Sequence, residues 1–541
     1  MIVRPAFWTL IGAACAAAAA VAALGLLGPA PDPALLNTLH RGNGAEAESL
    51  DPQAARSEAA LSIARDLYEG LTSIEPSGRA VLAAADRYSV SEDGRRYSFH
   101  LRPGLRWSNG EAVVAADFVF AWRRLVDPAT AAPYAQMLSP VLNASAIVAG
   151  TRPVESLGVR AADAATLDVE LQRPAPYFLN LLALPGTFPL HRASLAAYGG
   201  RFAKPGVMVS NGAYTLSRWD FGSKILAARN RYYWNDANTH IDRIEYHSIA
   251  QAAAELNAYR SGLLDCTSTI ATPQLAIIRA QLGGQLHLSP QLAVYYYGLN
   301  LRTPPFADRR KLRLALSMVI DRERLVSTIT GLGELPAYGF VPPQTAGFTA
   351  QTPPFARWPM PARIARAREL LRESGMRAPG PIELRYNTGD LHTAIAVAVA
   401  SMWKDALGLE TRLHGEEFKV LLQDIDRGDV TQAFRASWVA DYDDAYNFLQ
   451  LLRTGFGINL PRYSNPHYDQ LLDQANAQTD PLQRRAGLEE AERVMLADQP
   501  LIPLYFYVNK HLVKPRVRGW RDNVMNIIYS KDLSLGITAA E

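Results

Sequence analysis

The chain has 541 residues, 48% hydrophobic and 20% charged, so it is a globular protein too long for one ordinary core; roughly three or four domains follow from that length. Its 55 basic and 52 acidic residues nearly cancel to +3, and the longest basic clusters, Arg309-Arg-Lys311 and Arg322-Glu-Arg324, read as solvated helix faces, which argues against nucleic-acid binding. Of the two cysteines, Cys15 falls in an N-terminal apolar run and Cys266 stands alone, so no intradomain disulfide is proposed.

In chain order, Arg4 precedes an uncharged run from Pro5 to Pro31 that is apolar from Ala6 to Leu27. Residues 1–34 fit an export signal, and equally an uncleaved anchor, because the run approaches the ~20 residues that cross a bilayer. After the proline-rich stretch Pro29 to Pro33, Leu36 to His40 has a short strand pattern. Glu58 to Leu71 reads as a helix with Ala59, Ile63, Leu67 and Leu71 in one stripe. Tyr97, Phe99 and Leu101 alternate as a strand, and Ser108-Asn-Gly110 supplies a turn. Helices are predicted over Ala115–Val126, Arg363–Ser374, Thr393–Ala406 and Asp480–Ala497, and strands over Leu167–Leu171 and Ile382–Tyr386. This mixture predicts an α/β or α+β fold.

Enzyme signatures are weak. There is no His-Glu-x-x-His helix, no Gly-x-Ser-x-Gly elbow and no Walker loop. Gly42-Asn-Gly44-Ala-Glu-Ala47 loosely matches a dinucleotide loop, but Pro52 comes too early for the required helix, so it reads as a turn. Ten scattered histidines show no ligand spacing, and neither a metal nor a cofactor is expected.

The densest stretch runs from Arg435 to Leu449. A strand-like segment ends at Asp441 beside aromatic rings, and the helical pattern AYNFLQLL begins at Ala445. Asp443 or Asp444 lies nearer the helix start and suits a cap, which leaves Asp441 available to meet a cation. Arg435 has Asp424 and Asp426 as candidate partners. In Tyr295-Tyr-Tyr297, alternation sends Tyr295 and Tyr297 to one face and Tyr296 to the other.

Trp438-Val-Ala-Asp441-Tyr442 resembles the W-x-A-D-Y segment of bacterial oligopeptide-binding proteins, the solute receptors of peptide ABC importers. Ser49-Leu-Asp-Pro52, Tyr97 to Gly110, Asp117 to Leu125, Pro174-Ala-Pro-Tyr-Phe178, Ser210-Asn-Gly-Ala-Tyr214, Tyr295 to Asn300, Asn387 to His392 and Leu504 to Asn509 resemble the same family in the same order. The likeness spans about Leu39 to Val517. It implies an α/β, two-lobed periplasmic binding protein-like (type II) fold with an extra inserted small domain. The corresponding boundaries are lobe I at 35–68 and 191–292, the insert at 69–190, lobe II at 293–508, and a return to lobe I at 509–541.

The resemblance also implies a site. Asp441 would meet a peptide α-ammonium, and Arg435 and His392 its carboxylate. The backbone of Ser437 to Val439 and the loop at Ser57 and Glu58 would pair with the peptide chain, with Tyr134, Trp438, Phe418 and Tyr507 around it. Three positions depart from the family pattern: Ser317 replaces a lysine, Phe418 a tryptophan, and the segment from Cys266 to Pro273 lacks a ligand-facing asparagine. A family disulfide would join positions occupied here by Ala293 and Val439. The implied role is a monomeric, non-enzymatic periplasmic receptor of a Gram-negative envelope, with the N-terminal segment as a candidate inner-membrane anchor. It would deliver short peptides to permease and ATPase subunits of an importer. A receptor for murein peptides, a nickel complex or haem, and a membrane-tethered peptide sensor, are the alternatives.

Overall fold

The computed structural model describes residues 37–270, 274–376 and 380–536. The export-signal and anchor expectations fall on residues 1–34, outside that range. Among the described residues no helix is long and apolar enough to cross a membrane.

The chain folds into two α/β lobes and a smaller antiparallel body. The first lobe is built on a four-stranded sheet in the order Thr38–Gly42, Arg243–His247, Lys224–Arg229, Tyr214–Asp220; the first pair is parallel and the others antiparallel. The small body interrupts this sheet in sequence. Its strands, in the spatial order Ala85–Val90, Arg96–Leu101, Thr166–Glu170 and Val159–Ala161, form an antiparallel sheet, with Tyr97, Phe99 and Leu101 buried on one face. Helix Ala115–Val126 covers that face through Phe118, Trp122 and Leu125.

The second lobe has a six-stranded sheet in the order Leu335–Pro336, Leu501–Leu512, Leu286–Leu299, Ala433–Val439, Ile382–Asn387, Thr411–Glu416. Helices Arg310–Met318, Met360–Glu373 and Asp390–Leu407 pack on it. The 14-residue strand Leu286–Leu299 has two apolar faces. Tyr295 and Tyr297 enter the second lobe's core, whereas Val294 and Tyr296 enter the larger core shared with the first lobe and small body. It pairs with Leu501–Leu512 along nearly its whole length, with register irregularities between Pro290 and Val294 and at Tyr295–Tyr296. Proline cannot donate to the ladder, so a break there is the expected response.

One predicted helix is shorter than its hydrophobic stripe. It runs Glu58–Leu67, capped by Ser57, and Tyr68 is already extended. The chain must turn because Glu69 is drawn inward to Tyr233, Trp234 and Lys531, and its N–H donates to Asn211. Gly70 then passes so close to Leu182 that a Cβ would lie 2.5 Å from its carbonyl oxygen. Leu71 is buried beyond the helix, ahead of a short hairpin.

Candidate functional site

Strand Ala433–Val439 is an edge for most of its length. On one side it pairs antiparallel with Leu286–Leu299 from Ala433 to Val439. On the other, Ile382–Asn387 pairs only with Ala433 and Phe434 before the strands diverge. The Ala440 N–H donates to Leu292, so by alternation the backbone groups of Arg435, Ser437 and Val439 point to the open side. Ala293 and Val439 sit directly opposite each other in the ladder, where the resemblance places a family disulfide.

Past the strand end the three aspartates separate by role. Asp444 caps helix Ala445–Leu449 through the Tyr446 N–H and is gripped by both terminal nitrogens of Arg484 at 2.8 Å. Asp443 accepts from the Ala346 N–H at 2.8 Å, tying down a neighbouring loop. Asp441 makes no ion pair among the described residues; its nearest polar partner is the Asn447 amide at 3.5 Å. Burial pushes its pKa up to about 6, against a weaker opposing pull from Asn447.

Asp441 opens into a cavity of about 1000 Å³. The first lobe contributes Pro52, Arg56, Glu58, Leu61 and Arg65; the small body contributes Tyr134, Met137, Tyr177 and Pro185. The second lobe contributes Trp438 to Tyr442 and Phe456 to Ile458. All three bodies therefore meet at the aspartate. Tyr177 stacks on Tyr442 with centroids 5.0 Å apart, fixing the small body against the strand end. Glu58 also lines an adjoining cavity of about 360 Å³ together with Ser57, Arg41 and Trp520. Glu48 accepts from the Ser57 and Arg56 N–H groups and from the Ser57 hydroxyl, which fixes the loop.

A second cluster lies toward the other end of the strand. Arg435 lies over the Tyr295 ring at 4.7 Å, and donates to the Tyr507 hydroxyl at 3.0 Å and to Asn387 at 3.2 Å. Neither expected carboxylate is its partner: Asp424 pairs with Arg385 at 3.0 Å, and Asp426 uses its backbone oxygen toward Arg462. His392 is 3.3 Å from the Tyr295 hydroxyl. Burial, reinforced by the Arg435 charge, lowers its pKa to about 4, so it is neutral at pH 7.

Asp441, Trp438, Val439, Tyr134 and Glu58 thus share one cavity, while Arg435, His392 and Tyr507 form a separate cluster. Ser437 lies between them on the open edge. Phe418 lines neither cavity and is 47% exposed at the start of helix Phe418–Arg427. Ser317, where the resemblance places a family lysine, is buried; its hydroxyl accepts from Arg322, which also donates to backbone oxygens of Ser317 and Pro503. Asn447 has a role the sequence does not announce. Fully buried, it accepts from the Trp438 indole at 2.8 Å and from the Asp441 N–H at 3.3 Å, while its amide faces the Asp441 carboxyl. A polar residue within the apolar run AYNFL was the available signal. The histidine spacing concealed a further group, His40, Glu245 and His247, which parallel strand pairing brings together from about 200 residues apart.

The profile of bacterial extracellular solute-binding proteins, family 5 Middle, matches residues 79–459. The chain is 38% identical over 488 residues to the periplasmic oligopeptide-binding protein OppA of Escherichia coli K12, covering 89% of each chain. It is 39% identical over 496 residues to the probable deoxycholate-binding periplasmic protein YgiS of the same organism, covering 91% of this chain and 92% of that protein. Among solved structures, Haemophilus influenzae OppA in complex with the peptide RPPGFSPFR superposes with a TM-score of 0.79 at 34% identity, covering 92% of this chain and 99% of the other.

Proposed function

The chain belongs to the bacterial extracellular solute-binding proteins of family 5, and from that premise we propose that it binds short peptides between its lobes and delivers them to an ABC importer. The observation that carries this reading is Asp441, a buried carboxyl without an ion-pair partner among the described residues, beside an unpaired strand edge. A buried carboxylate needs a compensating cation, and a peptide α-ammonium supplies one while the following backbone pairs with the edge. Ser437 and Val439 would form that pairing, with Trp438, Tyr134, Ser57 and Glu58 around the first residues. The backbone ladder gives affinity independent of side chains.

Arg435 would receive the carboxylate of a short peptide. It lies six residues before Asp441, roughly 20 Å along an extended strand. The lengths of the two side chains take up part of that span, which leaves room for about three residues. Phe418 would contact only longer ligands, and His392, neutral at pH 7, would act as a hydrogen-bonding group. The periplasmic names of the similar proteins support an extracytoplasmic location, with the importer's permease and ATPase subunits as membrane partners. The binding role involves no covalent chemistry.

A second reading is prompted by the YgiS likeness, since that protein is named for deoxycholate. A bile acid brings a carboxylate and no ammonium, so it leaves Asp441 uncompensated. Calorimetry with a free tripeptide, its N-acetylated form and deoxycholate decides between them. The peptide reading requires tight binding of the free tripeptide and a large loss on acetylation. Equal affinity for both peptides, or preference for deoxycholate, overturns it.

A further inference from the structure

The group at one end of the first lobe's sheet has the makings of a metal centre outside the cleft. His40 lies on the terminal strand and Glu245 directly opposite on its parallel neighbour; His247, two residues on, points to the same face. His40 Nδ1 is 3.4 Å from His247 Nε2, and each nitrogen is 3.6 Å from the same Glu245 oxygen, Oε2. A point just off the plane of these three atoms is ~2.2 Å from each, within the range of about 2.0–2.2 Å for zinc bonds to nitrogen or carboxylate oxygen. The donors are thus already spaced as neighbours around one tetrahedral ion.

We propose that His40, Glu245 and His247 bind a divalent transition-metal ion of the zinc class, with a fourth coordination position left to water. Two imidazoles and one carboxylate suit such an ion better than calcium or magnesium, which prefer all-oxygen sets. All three side chains are well shielded without being sealed: their exposures are 26%, 15% and 11% in chain order. Lys224 competes for the site, because its ammonium is 2.8 Å from the same Glu245 oxygen. Bound metal would displace that ammonium and join the terminal strand to its neighbour across the ladder, which makes the ion a staple for the sheet.

The test uses untagged protein stripped with a chelator and titrated with zinc chloride alone. One ion should bind per chain, and the unfolding midpoint should rise with zinc concentration. His40→Ala and His247→Ala should each weaken zinc binding at least ~100-fold while circular dichroism spectra stay unchanged. Lys224→Met should tighten binding, because it frees Glu245; unchanged or weaker binding removes Glu245 from the ligand set and overturns the three-donor site. Asp441→Asn with His392→Ala should leave zinc affinity intact, and its loss would place the ion in the cleft instead. No stoichiometric binding, or binding unaffected in the His40→Ala, His247→Ala double variant, also overturns the assignment. His247→Gln, which keeps volume and polarity, gives the same readout if an alanine variant folds poorly.

Discussion

At the scale of single residues, the three neighbouring aspartates are the most instructive comparison. Their spacing already separated a capping residue from Asp441. It did not separate Asp443 from Asp444, because that depends on Arg484 and Ala346, which arrive from distant sequence. The raised pKa of Asp441 gives a pH signature with a definite sign. Below about pH 6 the empty site holds a proton that must leave before an ammonium can pair. Peptide affinity should therefore rise by up to ~10-fold per pH unit toward pH 6 and level off above it. Titration of a tripeptide from pH 4.5 to 8 checks this, and a flat profile would remove the carboxylate from the binding step. For the empty protein the same group acts on stability. Its folded pKa lies above its unfolded value, so its contribution is greatest at low pH and is lost as pH rises through about 6. Asp441→Asn should weaken tripeptide binding by the 3–5 kcal/mol typical of a broken buried pair, about 100-fold or more. Asn447→Ala should act indirectly, since it releases the Trp438 indole as well as the aspartate; a binding loss smaller than that of Asp441→Asn is expected by calorimetry.

At the scale of elements, helices and strands with a strong amphipathic period are legible in the sequence because that period is a local property. Helix Ala115–Val126 and strand Ile382–Asn387 have enough periodicity to declare themselves. The stripe of the helix at Glu58 continues to Leu71, beyond the helix's end at Leu67, while the forces that end it come from Asn211, Trp234 and Lys531. The open edge of Ala433–Val439 was also beyond local pattern, since it depends on where Ile382–Asn387 stops pairing. That edge permits a selective test. The Val439 N–H points away from the paired strand and that of Trp438 points into it, as the Ala440–Leu292 bond establishes. Val439→Pro should lower peptide affinity about 10-fold with little change in melting temperature, because it deletes only an outward donor. Trp438→Pro should instead cost about 1–3 kcal/mol of stability, because it deletes an inward ladder donor and leaves its acceptor unpaired. Thermal unfolding and calorimetry on both variants check the pair; equal destabilisation would show that the edge is not open.

For the whole molecule, the ligand reading requires a closed state that touches all the bodies around Asp441. A saturating tripeptide should reduce the radius of gyration in small-angle scattering and raise the melting temperature; an unchanged profile would count against a closing cleft. Peptide length was the least legible property. The resemblance sets Ser317 against a family lysine, but only the fold reveals that its hydroxyl is committed to Arg322 inside the second lobe. Arg322 is sealed inside the lobe and offers no charge to a ligand there, so affinity over a series of two to six residues should peak at three, and a maximum at five or six would refute the role given to Arg435.

The paired strands Leu286–Leu299 and Leu501–Leu512 have a mechanical consequence. Tyr295 and Tyr297 are anchored in one core and Tyr296 in the other, on a single uninterrupted length of chain. Neither lobe can melt without extracting side chains from the other, so the architecture makes unfolding a shared event despite its separate bodies. Scanning calorimetry of the empty protein should show one endotherm with a calorimetric-to-van't Hoff enthalpy ratio near ~1. The amides at the centre of that ladder should be the last to exchange with deuterium, at the free energy of global opening.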